Sequence, residues 1–289
     1  MGPFAERKLT HTGLGSASAL LAIAVHVFLG ASDARSVEDA ASRSAAFVLD
    51  ATFSNLYADD YIQTLTLTTI GRSGDSMQRK LQITRRQSER PGKALVRFLE
   101  PYAIRRTSIL ILEKEEGPDE LFVYLPAARM TRRLSMAQKA DLFFGTDLCF
   151  EDIEPKRASD YDVHWIEAGR GDGDCDRMAA TVREGLESVY ERMVYCIERD
   201  RDVIRWAEFE RGGSVVRRLD VDPESVQKVG DRLIPFEMKM SMPGRGSSTR
   251  ISTGIYDIRP TIPEALFSTW NLEVGTANRD RREVGKSSD

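Results

Sequence analysis

Apolar residues recur at intervals of three and four from Ser36 to Tyr57, through Ala40, Ala41, Ala45, Val48, Leu49 and Phe53. That spacing predicts an amphipathic helix. The period then changes to two. Gln63–Ile70 alternates Thr64, Thr66 and Thr68 with Leu65 and Leu67, and after the turn-like Gly71–Asp75 the run Met77–Arg85 places Leu81 and Ile83 on one face. Ala94–Leu99 sets Ala94, Val96 and Phe98 against Leu95, Arg97 and Leu99. Ser108–Leu112 and Leu121–Leu125 are apolar on both faces, which predicts central strands covered on both sides. Met130–Phe144 mixes its spacings and predicts a break in the sheet, a short helix or ordered loop over apolar surface.

Further strands are predicted at Asp162–Ala168, Arg177–Arg183, Glu191–Glu198, Ile204–Glu210, Val215–Val221, Leu233–Met240 and Thr249–Ile258. The turn-like stretches Gly169–Asp174, Gly212–Gly213 and Met242–Ser248 separate some of them. About a dozen β segments after one helix fit an all-β sandwich or barrel. Thr261–Leu272 carries Ile262, Leu266, Phe267 and Trp270, and should dock on the sheet. Residues 273–289 read as a disordered polar tail.

The N-terminus reads as a secretory signal over residues 1–34. Arg7 and Lys8 precede the apolar run Ala17–Gly30, and Ser32 and Ala34 supply small residues for a cut at Ala34–Arg35, although Asp33 departs from the usual site. An uncleaved anchor would need roughly 20 apolar residues, more than this run offers. The expected product is an exported, periplasmic chain that does not span the membrane. Loss of residues 1–34 removes Glu6 and Asp33 together with Arg7 and Lys8, so the net charge of −4 is unchanged. Without a basic excess, nucleic acid is not an expected partner.

Absences bound the chemistry. Only His164 remains after loss of His11 and His26, and it lies in a predicted strand, so neither a multi-histidine metal site nor a catalytic triad is expected. Gly169–Gly173, read G-R-G-D-G, lacks the spacing of a phosphate loop. No cofactor and no metal are expected. The acid pairs Glu151–Asp152 and Asp172–Asp174 could hold a cation or act as acid and base, but a solvated or turn-fixing role is the plainer reading. Cys149, Cys175 and Cys196 form no C-x-x-C pair. Neighbouring strands could bring Cys175 and Cys196 into a disulfide, leaving Cys149 free; three unpaired buried thiols are the alternative.

Several motifs occur in a characteristic order. Val96–Pro101 is V-R-F-L-E-P, Arg105–Leu110 is R-R-T-S-I-L, and Tyr124–Pro126 is followed by Arg129–Leu134. Phe144–Ile153 reads F-G-T-D-L-C-F-E-D-I, and Thr249 is followed by I-P-E-A-L-F at Ile262–Phe267. Together they resemble the outer-membrane lipoprotein-sorting proteins, relatives of LolA and LolB, over most of Val48–Leu272. Arg106 stands where that family usually has glycine, and Leu148 and Cys149 also depart from its pattern.

The resemblance implies a mainly β, α+β fold: a half-open antiparallel β-barrel with an N-terminal helix and a short helical lid, spanning residues 35–272. It also implies a lipid-binding, non-enzymatic periplasmic carrier. Such a carrier would move a lipid or lipoprotein acyl chain toward the outer membrane, with an inner-membrane permease of the RND type as a partner. The alternative is an envelope sensor or adaptor that binds a protein partner through the same barrel. Strand parity nominates Phe98, Ile109, Ile111, Phe122, Tyr124, Phe236, Met238 and Met240 for the cavity, with Phe143 and Phe144 as lid contacts. Asp147, Glu151 and Asp152 are expected to fix the turn by accepting backbone hydrogen bonds.

Overall fold

The computed structural model describes residues 43–57, 59–88, 91–115, 117–167, 175–258 and 261–273. The predicted signal and its cut, the acid pair Asp172–Asp174 and residues 274–289 of the predicted tail lie outside them.

The chain enters through helix α1, Ala45–Tyr57. Ser44 caps it, its hydroxyl accepting the Phe47 N–H at 3.2 Å. Ala45, Val48, Leu49, Thr52 and Phe53 form its buried face. Six strands follow as a meander: β1 Tyr61–Ile70, β2 Ser76–Arg86, β3 Lys93–Glu100, β4 Ser108–Leu112, β5 Glu120–Leu125 and β6 Met130–Arg133. After the short helix α2, Met136–Lys139, a second meander comprises β7 Tyr161–Glu167, β8 Asp176–Val182, β9 Arg192–Glu198, β10 Val203–Arg211 and β11 Ser214–Val221. The small hairpin β12 Val226–Val229 and β13 Arg232–Pro235 stands apart. The last strands, β14 Glu237–Met242 and β15 Ser247–Asp257, pair with β11 and β1 respectively and join both meanders into one antiparallel sheet of 13 strands.

That sheet is open. Its edges are β6 and β7, which do not pair, so hydrogen bonding does not close the expected barrel. It is nevertheless strongly curved. The Phe53 ring lies 5.9 Å from that of Tyr195 on β9, while Tyr57, one helical turn on, accepts a hydrogen bond at its carbonyl from Arg85 Nε on β2 at 3.2 Å. β2 and β9 are six strand spacings apart in the sheet order, about 29 Å if the sheet were flat. One helical turn advances only about 5.4 Å. The sheet must therefore wrap round the helix. The gap between its edges is filled by chain: Arg157, which pairs with Asp160 at the entry to β7, also reaches Asp119 beside β5 at 3.0 Å.

The inner face carries the main core, including Val96, Phe98, Ile109, Ile111, Leu121, Val123, Met193, Tyr195 and Met240. A smaller cluster on the outer face of β3–β5 packs Leu95, Leu110 and Tyr124 against Ile262, Phe267 and Leu272 of the C-terminal segment. β4 is thus covered on both sides, as its uninterrupted apolar run predicts.

Two expectations change. Met130–Arg133 is a strand and not a break: it is the sheet edge, largely exposed, so no burial alternation marks its sequence. Leu233–Met240 is two strands. The chain changes partners at Pro235–Phe236, where proline has no N–H for a ladder and the Phe236 N–H bonds to the Ser225 carbonyl instead. Arg106, in the position where the resemblance leads one to expect glycine, has φ 73°. A glycine would occupy that left-handed backbone at no steric cost.

Candidate functional site

The Leu142–Ile153 segment crosses the inner face as a strap. Phe143 and Phe144 meet Phe98 of β3 at 5.5 and 4.6 Å, and both rings pack on Phe150. The Asp147 carboxylate accepts from the Ser247 hydroxyl and, at 2.8 Å, from that of Thr249, both on β15. The Asp147 carbonyl accepts from Arg217 Nε of β11 at 2.9 Å. Glu151 accepts the Val189 N–H at 2.6 Å and the Ser188 hydroxyl at 2.5 Å. Asp152 accepts the Cys149 N–H and the Tyr190 hydroxyl, both at 2.7 Å. The three acids of the G-T-D-x-x-x-E-D block therefore fasten the strap to β15 and to the loop before β9. Burial works against the Glu151 charge, but Lys156 and the Ser188 and Val189 donors hold its carboxyl below the ordinary range.

A cavity of about 210 Å³ lies between this strap and α1. Its floor is inward-facing sheet: Leu65 of β1, Ile83 of β2, Val96 of β3, Ile111 of β4, Leu219 of β11, Met238 and Met240 of β14, and Ile251 of β15. Phe53, Leu56 and Tyr57 of α1 close one side, and Leu148, Ile153 and Pro155 close the other. The wall is mainly apolar, with a few polar groups: Gln63, Arg85, Asp152, Lys156 and the tyrosines Tyr61 and Tyr256. This is the composition of a site for an apolar ligand held by a few fixed polar contacts. Burial pushes the Tyr61 hydroxyl up to about 12, so it is a neutral hydrogen-bonding group. For Lys156 burial works against the charge, but Tyr161, Glu151, Glu154 and Asp152 together hold its ammonium well above the ordinary range.

Two buried ion pairs stiffen the walls. Arg85, 2% exposed, pairs with Glu113 and donates to Gln87 Oε1 at 2.6 Å. Gly92 is needed beside them, because a Cβ there would overlap the Gln87 and Glu113 side-chain oxygens. Lys139 pairs with Glu154 at 2.7 Å and donates to the Asp119 carbonyl at 3.1 Å, tying α2 to the strap's end. Burial raises the Glu154 carboxyl to about 7, with Lys139 opposing the shift. A carboxyl raised in the folded state favours folding fully below its unfolded pKa and loses that contribution as pH rises to its folded value. Between about 4.5 and 7, the wild type should therefore lose stability relative to Glu154→Gln. Urea midpoints of both proteins measured across that window check this; a constant difference would refute it.

The nominated residues separate into four groups. Ile111, Met238 and Met240 line the cavity. Phe98, Ile109, Phe143 and Phe144 share the inner face, but the four-ring cluster with Phe150 fills the space beside the hollow. Phe122 and Tyr124 do not face inward: they belong to the outer cluster with Ile262 and Phe267. Val123 and Leu121 pair with Ile109 and Ile111 and take the inner face. Every residue of Leu121–Leu125 is apolar, so alternation could not choose a face. Phe236 sits at the β13–β14 break, half-buried and outside the cavity lining.

Cys175 and Cys196 are bridged, with Cα atoms 5.4 Å apart, and Cys149 is a buried free thiol raised to about 12 by burial. His164 is exposed on edge strand β7. Among the described residues no cluster of His, Cys, Asp or Glu could hold a metal ion, and no helix is long and apolar enough to cross a membrane.

Sequence reasoning missed Arg85, Lys156 and the helix residues of the wall. Arg85 follows Leu81 and Ile83 at period two, so an inward charge was there to be read. Lys156 lies outside any periodic element and gave no signal.

A family model described as that of an uncharacterized protein matches residues 91–274. No curated protein matches the chain. Among solved structures, the chain is similar to a DUF1329 family protein from Desulfovibrio piger, with TM-score 0.72 and 22% identity over 79% of this chain and 97% of that one. It is similar to a putative outer membrane lipoprotein-sorting protein domain from Vibrio parahaemolyticus, with TM-score 0.72 and 19% identity over 81% and 99%. A LolA superfamily protein from Nitrosomonas europaea aligns with TM-score 0.63 and 16% identity over 79% and 99%. At these identities the likeness is one of fold.

Proposed function

This chain belongs to the family whose model matches residues 91–274 and has the fold of a LolA superfamily protein, and from that premise we propose that it is a periplasmic carrier that holds an acyl chain of a lipid or lipoprotein in the hollow between α1 and the strap. The observation that carries this reading is the hollow itself, an apolar space of about 210 Å³ that the chain's own side chains leave unfilled. Exposing an acyl chain to water costs about 0.8 kcal/mol per methylene. Transit through an aqueous compartment therefore calls for such a shelter.

The hollow lies below the roughly 300–1,000 Å³ of common ligand pockets. Loading a long chain then requires α1 or the strap to shift outward. The carrier reading needs no chemistry. Glu151 and Asp152 are already committed to backbone and hydroxyl donors, which leaves them poorly placed as an acid–base pair. Export through the N-terminal signal, delivery toward the outer membrane and loading by an inner-membrane permease of the RND type complete the proposal.

Mass spectrometry of an organic extract of the chain purified from cells tests it. Acyl-bearing lipid near one equivalent is expected. An acyl-free extract, together with no uptake of a fluorescent fatty acid, would end the carrier reading.

A further inference from the structure

One end of the curved sheet differs from the other. In the antiparallel order, the loops 71–75, 101–107, 126–129 and 243–246 all lie at the end where β1, β3, β5 and β14 finish. Large apolar side chains stand out into solvent there. Tyr102 is 87% exposed, Met130 and Ile70 each 49%, and Met77 44%. Arginines sit between them: Arg105 and Arg106 on the 101–107 loop, Arg129 beside Met130, Arg72 and Arg245 on the remaining two. The opposing acids on these loops and their flanks are Asp75 and Glu100. In a chain of net charge −4, the first meander and the β14–β15 turn therefore gather a local basic excess at this end, while the 183–191 loop of the second meander, at the same end, carries Glu184, Glu187 and Glu191 against Arg183.

The register makes this one surface. Ser108 pairs with Tyr124, and Tyr124 with Thr131, so Arg106 and Arg129 project from neighbouring strand ends at nearly the same level. The Arg72 side chain lies against Gly246, within 3.6 Å of where a Cβ would stand, which joins the 71–75 and 243–246 loops. Arg105 lies over the Tyr102 ring at 5.7 Å. Arg106 and Arg129 have φ of 73° and 49°, backbone that glycine would adopt without strain, so these positions keep a charge at a conformational cost.

We infer that this basic, apolar-tipped end docks on an anionic phospholipid surface. Arginines would meet lipid phosphates, and Tyr102 and Met130 would enter at headgroup level, where an aromatic ring with a polar tip is favoured. Charge complementarity selects anionic lipid. Apolar tips spread over separate loops fit an interface better than the groove a single peptide would need. The inference stands apart from the carrier reading, since docking does not require a filled hollow.

Tryptophan emission tests it with two variants. Tyr102→Trp should blue-shift on phosphatidylglycerol-rich vesicles and stay unchanged on pure phosphatidylcholine. Ile255→Trp, 64% exposed at the opposite end of the sheet, should shift on neither. Combining Arg105→Glu with Arg129→Glu should lower the vesicle partition constant by roughly 25-fold or more, at about fivefold per arginine near an anionic surface. Added salt should reverse the Tyr102→Trp shift. A shift in neither variant, an equal shift in both, or charge reversal without effect would overturn the assignment. Retention on polyglutamate with no Tyr102→Trp shift on vesicles would mean an acidic protein surface instead, and would overturn it too.

Discussion

Met238→Trp is expected to lower the affinity for a fluorescent fatty acid by about 100-fold or more while leaving the chain folded. Met238 is half-buried, faces the hollow from β14, and packs at the margin of the main core. A larger side chain can therefore grow into empty space and not into packed atoms. Overpacking costs about 1–3 kcal/mol in a filled core; here the cost should fall at the low end. The indole would displace several methylenes of a bound acyl chain, each worth about 0.8 kcal/mol. Four methylenes amount to about 3 kcal/mol, and 1.4 kcal/mol is tenfold in affinity. Titration with the labelled fatty acid, beside a urea melt, separates the two effects. Unchanged affinity in a folded variant would show that the acyl chain lies elsewhere.

Glu113→Ala should produce the largest loss of stability. Arg85 is almost fully buried between β2 and the helix end, and Glu113 is its carboxylate partner. Removing one member of a buried pair leaves an uncompensated charge, at about 3–5 kcal/mol. The Gln87 amide and the Tyr57 carbonyl, at 2.6 and 3.2 Å, would still accept from the guanidinium but carry no opposing charge. Replacing both residues by methionine should recover most of the loss, because a well-packed apolar pair often matches a buried ion pair. Urea unfolding of the two variants is the measurement. A Glu113→Ala protein within about 1 kcal/mol of the parent would show that solvent reaches the pair and that the floor of the hollow is wetter than its burial indicates.

The parts that sequence reached and missed follow one physical division. Leu81 and Ile83 at period two, Ile109 and Ile111 in an unbroken apolar run, and Val48, Leu49 and Phe53 at helical spacing each report local burial, and each lies in its expected element. Of the acids of Phe144–Ile153, only Asp152 has the local turn-fixing role read from the sequence, accepting the Cys149 N–H; Asp147 accepts the distant Ser247 and Thr249 hydroxyls, and Glu151 the distant Val189 N–H and Ser188 hydroxyl. The edge strand Met130–Arg133 was hidden because exposure on both faces erases alternation.

On its own, the sequence determined a helix followed by about a dozen β segments, interrupted by a short helix or ordered loop over apolar surface, and a chain poor in groups suited to metal or triad chemistry. Periodicity and composition are local properties, and they suffice for that. Only the tertiary structure decided that Phe122 and Tyr124 turn outward, that Pro235 hands the chain from one strand pair to another, and that Arg85 and Lys156 stand in the wall of the hollow. Those outcomes depend on which strands pair, how far the sheet bends round α1, and which face the C-terminal segment covers. Residues far apart in the chain set each of these through packing, and no single segment records it.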